Sequence, residues 1–383
     1  AIRHYERSGL VQARRRPNGY RVFEREAAER VRTIRDLLQV GLTLDEISSL
    51  SPCLNAELKE SRGCELLIEL VKRADILLEN FAPGVMDRLG VGYDVLSQVN
   101  QRLIYASGSG YGLSGPDRDS LAMDLTVQAA CGFMSVTGFP DGPPLKAGPA
   151  VVDFLGGTQR EAAGRTALFE RERSGRGRLV EVAMQEASYP ALASNLGMYY
   201  TSGGKVPPRT GNRHGGLAIA PYNVYPAKDG HVAIICVVED HWPALLDAMG
   251  RQDLKEDPRF ASNALRVEHL AETDAVVEAW TLSLNKQDVF AAAKRHKVPT
   301  APVRDLIEVM NDPHMHQRGM LEWIDHPALG RIVVPNSPLR LHGAAPVPTQ
   351  PSPALGQHNR EIYGDWLGLS DSEIAGLKQG GVI

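Results

Sequence analysis

Cysteine is scarce. Four residues in 383, Cys53, Cys64, Cys131 and Cys236, lie far apart with no C-x-x-C pair. That spacing excludes a disulfide framework and a cysteine zinc cluster, and fits a reducing compartment. Long apolar runs are missing too. The longest, Val232-Ala-Ile-Ile-Cys-Val-Val238, falls far short of the roughly 20 residues that cross a bilayer. No apolar signal core opens the chain, because Arg3, His4, Arg7 and Arg14-Arg15-Arg16 interrupt it. The pair His314-Met-His316 has no third ligand or H-E-x-x-H helix nearby, so it reads as exposed loop and no metal is expected. Ser107, Ser109 and Ser114 form no G-x-S-x-G elbow, which disfavours a serine hydrolase. What is present is ordinary: 43% apolar and 23% charged residues, which excludes collagen-like, fibrous and largely disordered classes. A chain of 383 residues has room for two or three domains. The expectation is a soluble, cytoplasmic protein that does not bind membranes.

Net charge is -4, but it is unevenly placed: residues 1–35 hold ten arginines against four glutamates. Such asymmetry points to a segment facing a polyanion, or to a solvated arginine-rich helix face. Ile2–Leu10 reads as a helix tail closed by Ser8-Gly9, and Asn18-Gly19 between short extended pieces is a hairpin signal. Ala27, Val31, Ile34 and Leu38 recur at helical spacing, Gly41 ends that helix, and Thr43-Leu-Asp-Glu46 opens another as a capping box. The residues Ile2-Arg-His-Tyr-Glu-Arg-Ser-Gly-Leu10, Pro17-Asn-Gly-Tyr-Arg21 and Val40-Gly-Leu-Thr-Leu-Asp-Glu-Ile47 resemble the winged helix-turn-helix of MerR-type transcription regulators. The resemblance covers about 55 residues and implies DNA-phosphate contacts by Arg3, Tyr5, Tyr20 and Arg21, which position rather than specify. The family's first helix and its dimerising coiled coil are not seen, so the segment reads as truncated and its DNA binding as weak.

From residue 56 the rhythm changes to short apolar strands alternating with helices. Ala74–Glu79, Arg102–Ser107 and Arg178–Ala183 are buried strands, which argues for a parallel α/β sheet. The Gly-, Pro- and Arg-rich stretch 201–216 reads as a linker into a smaller α+β unit with a strand pair around Lys228-Asp-Gly-His231. The expected division is 1–55, a large domain over 56–200, a small domain over 201–310, and a return to the large domain over 311–383. Gly110-Tyr-Gly-Leu-Ser-Gly115 satisfies a dinucleotide fingerprint, but Pro116-Asp-Arg-Asp119 follows and puts acids where a phosphate would sit; it reads as a loop. Asp153 is the strongest catalytic candidate. Its carboxylate reads as lying at a strand's carboxyl end, before a Gly156-Gly157 turn and a long helix, where open α/β sheets place their chemistry.

An ordered series spans this region. It runs Glu79-Asn-Phe-Ala-Pro-Gly84, Arg88-Leu-Gly90, Gly112-Leu-Ser-Gly-Pro116, Asp153, Ser174-Gly-Arg-Gly177, Gly211-Asn-Arg-His214, Asp257-Pro-Arg-Phe260 and Leu355-Gly-Gln-His358. It resembles the family III CoA-transferases, the group of carnitine-CoA transferase, formyl-CoA transferase and α-methylacyl-CoA racemase. The resemblance implies a Rossmann-like large domain, an interlaced homodimer, and acyl-CoA and carboxylic acid substrates with no further cofactor. It implies a covalent aspartyl intermediate on Asp153 and CoA contacts by Lys59, Asn80, Phe81, Arg88 and Met123. It also implies a glycine loop, His214-Gly215-Gly216, closing over the intermediate. Where racemases carry a histidine this chain has Met123, which moves no proton and reads as packing or substrate wall, so racemisation is disfavoured. The competing expectations are a transcription regulator with a CoA-binding body, and an inactive fusion, because the MerR-like piece stands where the family's first strand and helix belong.

Overall fold

In the computed structural model, the described residues are 2–8, 10–11, 13–15, 21–23, nine positions between 27 and 47, 62–205, 209–345 and 348–383. Tyr20, Lys59 and the junction near 55–58 lie outside them, as does the side chain of Arg3. The chain divides into two compact units: residues 1–135, 145–193 and 355–383, and residues 136–144 with 194–354. Residues 311–354 thus pack with the second unit, beyond the 201–310 span read from sequence.

The first unit opens with helix α1 (Ile2–Arg7) and a short antiparallel pair, β1 (Arg14–Arg15) with β2 (Arg21–Val22). Helix α2 (Arg62–Val71) then leads into β3 (Ile76–Glu79). Short helices α3 (Val85–Arg88) and α4 (Tyr93–Val99) separate it from β4 (Ile104–Ser109). After α5 (Asp124–Ala130), helix α6 (Val151–Ser174) returns the chain to β5 (Leu179–Ala183) and α7 (Met184–Ser188). The three strands are parallel in the order β3-β4-β5, with Ile76 opposite Ile104 and Tyr105 opposite Leu179.

Alternation along the central strand divides the core. Leu103 and Tyr105 join Val71, Val85 and Leu96 on one face, whereas Ile104 and Ala106 join Ala167 and Val180 on the other. A two-residue period and burial on both faces are what a covered parallel strand requires. Tyr5, Leu10, Val11, Ile34 and Ile47 belong to the same core cluster as Val71 and Leu103, so the N-terminal segment is packed into this unit. The 24-residue α6 covers the opposite face with small residues, Ala163 and Ala167, and stops at left-handed Gly175. Its end is held by buried Arg171, which donates to Asp75 Oδ1 at 2.8 Å and to the carbonyl of Arg102 at 3.1 Å.

The second unit is antiparallel. Strands β6 (Tyr222–Ala227) and β7 (Gly230–Ile235) form a hairpin about Lys228-Asp229, and β8 (Thr300–Pro302) extends it. Helices α8 (His241–Met249), α9 (Leu270–Thr281) and α10 (Lys286–Arg295) belong to this unit, and Leu245, Val277 and Val289 share its core with Tyr225 and Val232 of the sheet. A separate hairpin, β9 (Leu321–His326) with β10 (Gly330–Pro335), stacks His316 on Trp323 at 6.1 Å. His314 and His316 lie on a helical turn, Pro313–Gln317, rather than in a loop: the capping aspartate Asp312 and Pro313 start a helix there.

A methyl group added at Gly177 would lie 2.0 Å from the carbonyl oxygen of Leu103, and backbone cannot yield. Gly177→Ala is expected to destabilise the protein by about 3 kcal/mol or more. Gly376, in the helix Asp371–Gln379, has open space around it, so Gly376→Ala stabilises by roughly 0.5–1 kcal/mol. Urea unfolding of both variants checks the pair.

Candidate active site

Asp153 is the third residue of α6, not the end of a strand, and Gly156-Gly157 lies inside that helix rather than in a turn. The physical reason for Gly156 is close packing: a Cβ there would stand 3.0 Å from Met184 Cγ at the start of α7. The helix runs antiparallel to the sheet. Arg171 at its far end reaches Arg102 before β4, while Arg160, nearer its start, donates to the carbonyl of Glu79 at the end of β3 (2.9 Å). The first turn of α6, carrying Asp153, therefore lies at the carboxyl ends of the strands, where such sheets place their ligands.

A second carboxylate meets it there. Asp124 Oδ1 accepts the backbone N–H of Val152 at 3.0 Å and that of Asp153 at 3.5 Å. Its other oxygen accepts Gln128 Nε2 at 2.5 Å, and fully buried Gln128 accepts the N–H of Ala147 at 2.8 Å. Asp124 thus caps the orphan amides of α6 from outside the helix. Asp153 itself is exposed, as is Phe154 beside it. Partial desolvation raises the Asp153 carboxyl from its ordinary value, and the negative charge of Asp124 raises it further. Sequence reading missed Asp124, whose only mark was its place after Met123.

Met123 is 70% exposed and caps α5, its N–H donating to Thr126 Oγ1 at 2.9 Å. It packs in no described core cluster, contrary to the packing expectation. Asn80 and Phe81 follow the last residue of β3 and are exposed, with the Phe81 N–H turned back onto Glu79 Oε2 at 2.8 Å. Arg88 ends α3, also exposed. A cavity of about 180 Å³ is lined by Glu79, Asp87, Asp94, Tyr93, Tyr105 and Ser107, among others, and not by Asn80, Phe81 or Arg88. Ser107 is buried there with an Oγ that has no hydrogen-bond partner among the described residues, and burial with the charges of Glu79 and Asp87 pushes the Tyr105 phenol up, keeping it a donor. Three carboxylates repel phosphate, so this cavity suits an uncharged, hydrogen-bonding group.

The glycine loop lies in the second unit. His214 Nδ1 accepts the N–H groups of Gly216 and Ala218 at 3.2 and 3.4 Å, and its ring meets Tyr222 edge-on at 5.3 Å. Cβ atoms at Gly215 and Gly216 would come 3.0 Å from Asn195 Nδ2 and 3.2 Å from the carbonyl of Ser194, so both glycines serve close approach. Buried Asp274 ties both ends of the loop. It accepts Arg213 Nε at 2.9 Å, Asn223 Nδ2 at 3.2 Å and Tyr225 Oη at 2.7 Å, and together with burial it pushes the Tyr225 phenol up.

Elsewhere the expected residues separate. Tyr5, read as a phosphate contact, is buried in the core at 8% exposure, because its ring is worth more there than in water. Arg21 pairs with Glu6 at 2.8 Å. The Gly110–Gly115 stretch is irregular, and the Leu113 N–H donates to the Glu181 carboxylate, a poor neighbour for pyrophosphate. Among the described residues no group of three or more His, Cys, Asp or Glu could hold a metal, and no helix is long and apolar enough to cross a membrane.

Because its carboxyl is raised in the fold, Asp153 destabilises the native state above that raised value and not below the ordinary one. Asp153→Asn is therefore expected to raise Tm at pH 7.5, with the gain shrinking toward pH 4.5. Thermal melts at the two pH values check this.

Residues 52–359 match the CoA-transferase family III, and residues 1–52 match the MerR HTH family regulatory proteins. A formyl-CoA:oxalate CoA-transferase of Streptomyces avermitilis is 34% identical over 366 residues, covering 92% of this chain and 88% of that one. A succinyl-CoA–D-citramalate CoA-transferase of Chloroflexus aurantiacus is 35% identical, over 85% and 81% of the two chains. A CAIB/BAIF family protein from Brucella suis has the same fold, with a TM-score of 0.69, 32% identity, and coverage of 81% and 80%. With the motif series in order and a carboxylate at the carboxyl edge of a parallel sheet, the chain belongs to the family III CoA-transferases.

Proposed function

We propose that this enzyme moves CoA between an acyl-CoA thioester and a carboxylic acid through covalent intermediates on Asp153. The observation that carries it is the position of Asp153: solvent-reachable, on the first turn of a long helix, with its proton affinity raised. An ionised carboxylate with raised basicity is a better nucleophile, and a helix N-terminus favours the oxyanion formed beside it. An Asp153 oxygen attacks the thioester carbonyl; the C–S bond breaks and CoA leaves as thiolate, giving a mixed anhydride. The thiolate then attacks the aspartyl carbonyl, releasing the donor acid and leaving an aspartyl-CoA thioester. The acceptor carboxylate attacks that thioester, and the same two steps in reverse load it with CoA.

Asn80, Phe81, Arg88 and Met123, with Lys59, are assigned to CoA, and His214-Gly215-Gly216 to covering the intermediate. CoA is a substrate in this reading, no cofactor is invoked, and a homodimer is the working assembly. Oxalate, succinate and glutarate, which are among the acids named in the relatives, with formyl-, acetyl- and succinyl-CoA as donors, are the first pairs to offer. Met123, a thioether where a proton carrier is needed, argues against racemisation. The inward turn of Tyr5 argues against a DNA-reading role for the N-terminal segment.

The test is intact mass after mixing with each acyl-CoA, quenched with and without hydroxylamine. Wild type is expected to carry a CoA adduct, converted by hydroxylamine to a hydroxamate on Asp153. Asp153→Ala is expected to carry neither, with turnover down on the order of 10³-fold or more. A folded wild type that forms no adduct with any donor overturns the covalent mechanism.

A further inference from the structure

The segment Pro116-Asp-Arg-Asp119 reads in sequence as an acidic loop, yet the fold turns its arginine toward Arg88. Gly84 has φ of +81°, and a Cβ built on it would lie 3.3 Å from Arg88 Nη1 and 3.5 Å from Arg118 Nη2. Two guanidinium groups therefore approach the same point beside the backbone. Among the described residues Arg88 makes no ion pair, and the ion pair of Arg118 is a loose one, with Asp119 Oδ1 3.8 Å from its Nε. That Nε is buried and has no hydrogen-bond partner among the described residues. Like charges brought near one another without a close carboxylate partner are unfavourable until an anion bridges them. Planar guanidinium forks suit the oxygens of a phosphate, which they bind in pairs.

We propose that Arg118 and Arg88 form a two-arginine clamp, with Gly84 at its base, for a phosphate group of the acyl-CoA. Gly84 has a stated part in this. Its left-handed backbone and missing side chain leave unfilled a point that lies within 3.5 Å of a nitrogen of each cation. The carboxylate-lined cavity beside it, which Gly84 also borders, then takes a part of the ligand that bears no phosphate. Arg118 is a binding residue in this scheme and touches no reacting atom. The inference rests on the CoA-transferase reading above.

The experiment compares wild type, Arg118→Ala and Arg118→Lys with three donors sharing one acyl group: acyl-CoA, 3′-dephospho-acyl-CoA and S-acyl-pantetheine. A charge-assisted hydrogen bond is worth about 1.5–3 kcal/mol, so Arg118→Ala is expected to lower kcat/KM for acyl-CoA about 10- to 100-fold, mostly through KM. It is expected to leave S-acyl-pantetheine unchanged, and Arg118→Lys to recover part of the loss. A loss confined to acyl-CoA assigns the clamp to the 3′-phosphate; an equal loss for both nucleotide donors assigns it to the diphosphate. No loss with acyl-CoA, or an equal loss with S-acyl-pantetheine, overturns the proposal. Calorimetric titration with free CoA separates the two levels. A wild type that takes up no CoA sinks the transferase reading itself, whereas a wild type and Arg118→Ala that bind CoA alike sink the clamp alone.

Discussion

A strand hydrogen-bonded on both edges and packed on both faces, Ile104–Ser109, dictates where the chemical groups of the first unit can lie. Because β4 is covered twice, its neighbours must start and stop with it. Gly177 passes against the carbonyl of Leu103 with no room for a side chain, which fixes where β5 enters. Buried Arg171 then pins the end of α6 to the same edge. A helix of 24 residues held at that end reaches roughly 36 Å, at about 1.5 Å per residue. Its first turn is thereby delivered to the opposite, carboxyl edge of the sheet, and Asp153 with it.

At that edge the structure accepts an unfavourable arrangement. Two carboxylates approach one helix N-terminus, where only one is needed as a cap. Asp124 takes the capping role, and Asp153 is left with its charge opposed by Asp124 and little hydrogen bonding to offset it. A residue that weakens the native state yet sits at the mouth of a sheet is a sign of function rather than packing. Helix dipole and like charge pull in opposite directions here, and burial with the charge of Asp124 raises the Asp153 carboxyl from its ordinary value.

The N-terminal segment shows how composition and packing can disagree. Its arginines and its helix–hairpin–helix order match a DNA-binding regulator family. Its apolar residues, however, are shared with the enzyme's core: Tyr5, Leu10 and Ile34 lie in the cluster that also holds Leu96 and Leu103. Fully burying side chains of this kind is worth about 1.5–3 kcal/mol each. That burial holds the segment to the first unit.

The sequence by itself determined the parallel strands, the family, and Asp153 as the candidate nucleophile. Each is written in local pattern: short apolar runs between helices, and glycines, prolines and acids in a fixed order. It also misread local detail at Asp153, because Gly156-Gly157 looks like a turn until Met184 is seen packed against it. Tertiary structure alone decided the rest. It set Asp124 over the start of α6 from 29 residues away and closed Asp274 on both ends of the glycine loop. It also brought Arg118 to Gly84 across a loop that reads as acidic. These contacts join residues far apart in the chain, and no periodicity links them. Their pairing follows from which strands are neighbours, a property of the folded sheet and not of any one segment.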